Sequence, residues 1–291
     1  MKFWARMFAA AFATAALLGA AQLGVVYGIS ALRLDRSFAG SENDWNIQLT
    51  WIAWFALLAV VGGASFAANQ ARILTDRVGF AVRFVTSLGA GLGGLITMLP
   101  LTVYPAVNTK LAAPIHPALT MALTVCGAVV AGAVLAAFIA GNPPMTTSVA
   151  FFALGAWVLA AVSVAQTVPL AGRLYLSPAR LGVLDIEALQ PIPRASFTLP
   201  VLAVVLGIAI ALAARLGGRG RIQVALSGAT GPLLIAVAYL ISGPGVIRGV
   251  PDQAAPYLGA MIAVVAGLIP TAIIAFLPIG PSRQRQVNLS A

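Results

Sequence analysis

Histidine and cysteine occur once each, as His116 and Cys126. They are the residues from which a metal centre or an activated thiol would be built. A zinc site of the usual kind takes three or four ligands, and His116, between Pro114 and Pro117, has no Cys, Asp or Glu beside it. Cys126 follows ten residues later, which on a helix sets the thiol about 15 Å from the imidazole. A lone cysteine also excludes an intramolecular disulfide. Asp185 and Glu187 are the best acid pair, but positions i and i+2 of a helix diverge. Beside Arg180 and Arg194 they read as a charge-balanced surface, as do Glu42 and Asp44. No Gly-rich phosphate loop or nucleophile elbow occurs. The inventory points away from an enzyme and calls for no metal and no cofactor.

Glycine, proline and small polar side chains carry what chemistry remains. Gly89-Ala90-Gly91-Leu92-Gly93-Gly94 and Ser227-Gly228-Ala229-Thr230-Gly231-Pro232 each interrupt a hydrophobic stretch. Gly89 with Gly93, and Ser227 with Gly231, have the small-x-x-x-small spacing that lets helix backbones touch. Close packing is therefore the expected use. The alternative is a pair of broken helices whose freed backbone groups line a central site. That site would be built from Gly89, Gly93, Ser227, Thr230, Gly231 and Pro232, with the amides of Gln22 and Gln166. Pro232 favours a break in the later stretch, while the earlier one has no proline until Pro100. Thr97, Ser163, Thr230 and Thr271 also lie within apolar runs, where a hydroxyl bridges helices for about 0.6 kcal/mol on average. Arg83, at the edge of its run, is expected to snorkel to the membrane surface.

The elements that position these residues follow from composition. The chain is 60% hydrophobic and 8% charged, against roughly 25% charged for a soluble domain. A bilayer core about 30 Å thick needs about 20 apolar residues per helix. Eight such runs occur: Met7–Ile29, Ile47–Ala68, Phe84–Tyr104, Ala118–Ala140, Thr147–Val168, Phe197–Ala214, Val224–Ser242 and Pro256–Leu277. Barrel strands would alternate apolar and polar residues, and these runs do not. The fold class is thus all-α integral membrane, with eight transmembrane helices in one membrane unit. The first run, at 23 residues, exceeds the apolar region of about 7–15 residues in a cleavable signal, so it is read as a retained span.

Placing the N-terminus in the cytoplasm puts ten bases and one acid, Asp76, on the inner side. Seven bases and six acids then lie outside. This positive-inside bias predicts both termini inside. Tyr27, Tyr104, Tyr175, Tyr239 and Tyr257, with Trp45 and Trp51, fall near outer span ends as an aromatic belt would. The inner bases should attract anionic lipid at the cytoplasmic face, and the net charge of +10 is read that way and not as a nucleic-acid surface. Fifteen Arg against two Lys, with abundant Ala and Gly, fits a GC-rich bacterial genome and hence a bacterial plasma membrane.

The chain also resembles itself. Sliding it by 144 residues aligns Phe8-Ala9 with Phe152-Ala153, Ala21-Gln22 with Ala165-Gln166, Leu58–Val61 with Leu202–Val205, and Gly63 with Gly207. After a shift of about four, Ser87 faces Ser227 and Pro117 faces Pro256. This predicts two four-helix halves, 1–146 and 147–291. Four spans are an even number, so the halves would be parallel and related by an axis along the membrane normal. Between 178 and 190, Ser177-Pro178 reads as a helix start and Leu181, Leu184, Ala188 and Leu189 share a helical face. An amphipathic helix lying on the outer membrane surface, or capping the bundle, is expected there, against the opposition of Gly182.

No acid lies within any of the eight runs. Intramembrane ionisable groups commonly mark proton or ion pathways, so ion-coupled transport is disfavoured. The sequence reads as a non-catalytic membrane scaffold or partner subunit, associating with another membrane or soluble protein. The alternative is a transporter or permease passing a neutral or amphipathic solute between the two halves.

Overall fold

Backbone polar groups find no partner in lipid, which leaves the helix as the way for a continuous apolar run to cross it. The computed structural model, which describes residues 2–29, 31–38, 42–75, 78–111, 115–167, 179–189, 191–243 and 251–278, has a helix at every expected run. These are α1 (Lys2–Gly28), α2 (Glu42–Thr75), α3 (Phe80–Ala106), α4 (Pro117–Ile139), α5 (Pro143–Thr167), α7 (Thr198–Leu216), α8 (Arg221–Ser242) and α9 (Pro251–Phe276). A four-residue helix, α6 (Ile192–Ala195), precedes α7. The eight long ones are apolar enough to span a bilayer, so the protein is a multi-pass membrane protein. Proline starts α4, α5 and α9, where its missing N–H costs nothing.

α3 buries small residues and exposes large ones. Gly89, Ala90, Gly93 and Gly94 face inward while Leu88, Leu92 and Ile96 face outward. Lipid is as apolar as leucine, so close van der Waals packing drives association, and small residues permit it.

Among the first four helices, α1 packs on α2 and α3, α2 on α3 and α4, and α3 on α4. Among the last four, α5 packs on α7 and α8, α7 on α8 and α9, and α8 on α9. The two groups meet where α2 touches α5 and α8, and α4 touches α8. α2 is the central post: 83% of its apolar window is buried, against 61% for α8 and 33–44% for the others. Its Trp51, Trp54 and Phe55 gather with Trp157 of α5, the Phe55 and Trp157 rings stacking at 5.6 Å. One end of the bundle, the basic end, carries Lys2, Arg72, Arg83, Arg219 and Arg221. The opposite one is the far end.

Two far-end connections fold into the bundle. In 31–38, Leu32, Leu34 and Phe38 are buried. The Phe38 N–H donates to the Lys110 carbonyl at 2.8 Å, and Arg36 pairs with Asp44 at 3.1 Å. The helix expected across 178–190 does not form over 179–189, which holds a turn at Leu181-Gly182 and a single 3-10 turn at Glu187–Leu189. Gly182 adopts φ +72°, outside the helical region. Leu181 and Val183 are buried, and side chains from three helices take the carbonyls of this segment: Tyr239 donates to Leu181 at 2.7 Å, Ser163 to Val183 at 3.3 Å and Thr198 to Gly182 at 3.2 Å. The segment therefore caps the bundle end, one of the two expected placements, but does so as turns and not as a helix.

The same contacts correct the aromatic belt. Tyr239, Trp45 and Trp51 are 2%, 2% and 7% exposed; they serve the interior, whereas Tyr104, at 81%, does face outward. Tyr175, Ser177-Pro178, Asp76, Arg77, Arg173, Arg248, Arg283 and Arg285 lie outside the described residues.

Candidate functional site

The glycines of α3 are filled by α1. A Cβ on Gly89 would stand 2.6 Å from the Phe8 carbonyl oxygen, and one on Gly93 would run into the Phe12 carbonyl. Gly231 of α8 is covered by the Phe152 ring of α5. Ser227 is buried with its hydroxyl donating to Val224 at 2.7 Å, and Thr230 donates to Ser227 at 3.0 Å and to Met145 at 3.3 Å. Gln22 donates to Leu18 at 3.1 Å and Phe55 at 3.3 Å, leaving its buried Oε1 without a partner. Gln166 belongs to α5, and its side chain lies outside the described residues. The α3 set and the α8 set are thus each spent on a different seam, and α3 and α8 are not a packed pair.

Neither helix breaks. α3 runs through Pro100 and Pro105, and α8 through Pro232. A proline leaves the carbonyl four residues earlier without its helical donor, and two of these carbonyls are met from outside. Leu101, freed by Pro105, accepts from the Tyr27 hydroxyl at 3.2 Å. Gly228, freed by Pro232, turns its carbonyl onto the backbone of Gly267 in α9.

Two clefts remain. One, of about 440 Å³ at the far end, lies where α1, α2 and α5 meet, lined by Val25, Leu32, Trp51, Trp157, Val164 and Ala179. The Trp51 indole donates to the Ala179 carbonyl at 2.7 Å, so its polar edge is already engaged and the lining is apolar. The second, of about 370 Å³, runs between α5 and α7 and ends at Arg219 on the basic end.

Beside Arg219 the basic end gathers more charge. Arg72 of α2 donates to the carbonyl of Gly141, and Arg83 of α3 reaches Asn142 Oδ1 at 3.5 Å. Gln223 of α8 donates to the same Oδ1 at 3.1 Å, and Asn142 donates to Phe138 at 2.6 Å. The turn between α4 and α5 is thereby held from three helices. Arg72 lies within electrostatic reach of Arg83 and Arg219, and the two described ion pairs, Arg36–Asp44 and Arg180–Asp185, are both elsewhere.

No family model, curated protein or solved structure matches this chain. Its chemistry rests on its own geometry. Among the described residues, no three His, Cys, Asp or Glu side chains come together as a metal site would need. Cys126 is exposed on α4, and His116 caps that helix without a side-chain hydrogen bond.

Three features were not evident in the sequence. The Trp51, Trp54, Phe55 and Trp157 cluster joins residues far apart in the chain, and only the i, i+3, i+4 spacing within α2 hinted at it. Gly267 lies in the small-residue row Gly259, Ala263, Gly267 and Thr271, whose spacing marks a close approach but does not say that Gly228 of α8 is the partner. Gly141-Asn142, a glycine after an apolar run and before Pro143, carried the usual signal of a helix stop but nothing about the arginines.

Proposed function

We propose that this chain is a non-catalytic membrane scaffold or partner subunit of a bacterial plasma membrane, built from two like four-helix halves with both termini in the cytoplasm. The observation that supports the scaffold reading is the unbroken course of α3 and α8, whose glycines receive the backbones and rings of neighbouring helices. That is the construction of a stiff bundle.

The repeat draws support from packing. Helix by helix, the packed pairs within the first four are those within the last four. Phe8 and Phe152, matched by the 144-residue shift, each cover a glycine on the third helix of their half, Gly89 by backbone and Gly231 by ring. The halves do not use equivalent faces to meet. α2 and α4 of the first contact α5 and α8 of the second, a head-to-tail contact that a two-fold between the halves would not give.

The test is extraction of the tagged full chain from native membranes in two detergents, with crosslinking before lysis. A companion at fixed stoichiometry in both is the expected result. Recovery of the chain alone, uncrosslinked and at full yield, counts against the scaffold reading. The far-end cleft, lined from both halves, favours the second reading, passage of a neutral amphiphile. Flux of such a solute into proteoliposomes, lost when Ala161→Phe fills the cleft, would establish it.

A further inference from the structure

The α5–α7 cleft and the arginines of the basic end meet at one place, and their chemistry is complementary. The cleft follows α5 from Pro143 through Thr147 to Phe151, eight residues or about 12 Å of helix, and α7 along Ile210 and Ala213. Its counterpart in the first half is closed, because Gly63 of α2 lets α1 approach until a Cβ would stand 2.8 Å from the Ala11 carbonyl. Gly207, the matching position on α7, faces Thr271 and Gly267 of α9 instead. α7 is thus turned toward α9, and α5 is left with an apolar furrow beside it.

Arg219 stands at the mouth of the furrow, with Arg72 and Arg83 around the adjoining Gly141-Asn142 turn. A guanidinium has five N–H donors. Arg72 and Arg83 each spend one described bond on this turn, and the buried Nε of Arg83 has no acceptor. Guanidinium forks match phosphate oxygens. The starts of α3 and α8, at Gly79 and Gly220, have no side-chain cap and point their positive ends to the same level. An apolar furrow that opens at a helix end onto converging guanidiniums fits a molecule with a hydrocarbon tail and an anionic head.

We infer that this is a binding site for one anionic glycerophospholipid, its phosphate among Arg72, Arg83 and Arg219 and an acyl chain in the α5–α7 furrow. The assignment goes beyond the scaffold reading and stands without it, since it needs no protein partner and no transported solute.

The experiment is native mass spectrometry of the detergent-solubilised full chain, titrated with dioleoyl phosphatidylglycerol or dioleoyl phosphatidylcholine. The expected result is a single retained phosphatidylglycerol, held more tightly than phosphatidylcholine. Arg219→Gln, at an exposed turn, should weaken it about fivefold, the worth of one base at an anionic surface. Ala213→Phe should abolish it by filling the furrow, while Arg6→Gln leaves it unchanged. Both lipids binding alike to the unaltered chain would overturn the assignment without recourse to any variant. So would equal weakening by Arg6→Gln, or retention of the lipid by a folded Ala213→Phe. Displacement of the lipid by millimolar inorganic phosphate alone would reassign the arginines to a soluble anion and likewise overturn it.

Discussion

Gly228 of α8 and Gly267 of α9 each hold a carbonyl oxygen where a Cβ on the other would stand. Pro232 is the reason on one side, since it leaves the Gly228 carbonyl without an N–H from its own helix. On the other, Thr271 donates to the Gly267 carbonyl at 2.9 Å and to Ala225 across the seam at 2.7 Å. Backbone meets backbone here, so no flexible side chain can yield. Gly228→Ala and Gly267→Ala should each destabilise the detergent-solubilised protein by about 1–3 kcal/mol, as overpacking does. Gly24→Ala, with open space around it, should not lower the melting temperature. Equal melting curves for all three would refute the seam.

The turn at Gly141 should be as intolerant for a different reason. Its φ is +78°, and an added Cβ would lie 2.8 Å from Val78 Cγ1. The left-handed conformation costs an L-residue roughly 1–2 kcal/mol, and the contact adds to it. Gly141→Ala should therefore melt lower than the parent. Adding Val78→Ala should recover the steric part and leave the conformational part. No recovery in the double variant would show that Val78 is not the obstacle.

The spans were legible because hydropathy over twenty residues is a strong, local signal. Each of the eight runs is a helix, most of them starting a turn or more before the apolar core does. What escaped was whatever depends on which helices become neighbours. The spacing of Gly89 and Gly93 announced a close approach but not that Phe8 and Phe12 would be the visitors. Pro232 suggested a break, yet a membrane helix can absorb a proline when another helix meets the freed carbonyl. Over 178–190, Leu181, Leu184, Ala188 and Leu189 have the spacing of one helical face, yet 179–189 folds as turns. Gly182, with its positive φ, was the truer signal. Tyr239 and Trp51 looked like belt residues because sequence gives depth along a span but not direction around it.

That far-end plug can be weighed through Tyr239, whose hydroxyl reaches the Leu181 carbonyl at 2.7 Å from a fully enclosed position. Tyr239→Phe keeps the ring and strands the carbonyl, a loss of about 1–3 kcal/mol for a buried unsatisfied group. Tyr104→Phe, on the outward surface, should change nothing measurable. A protease-protection assay on intact vesicles gives a second readout. Cleavage near 181–183 should rise in the Tyr239 variant alone.

The proposed orientation makes its own prediction. With Cys126 replaced by Ala, single cysteines at Lys110 and Arg219 sit at opposite ends of the bundle. A membrane-impermeant maleimide added to intact cells should label Lys110→Cys and spare Arg219→Cys until the cells are opened. The reverse pattern would place both termini outside.

The seam between the halves is fastened at both of its ends. At the far end Trp51 holds Ala179 at 2.7 Å and Thr50 shares a 2.7 Å hydrogen bond with Ser242. At the basic end Gln223 and Arg83 share one oxygen of Asn142. A rocking motion of one half against the other has no direction free of cost: it must break the bonds at one end or those at the other, and the aromatic stack of Phe55 on Trp157 lies between them as a stiff fulcrum. Any conformational cycle in this molecule would have to be driven by something that replaces those bonds as they open.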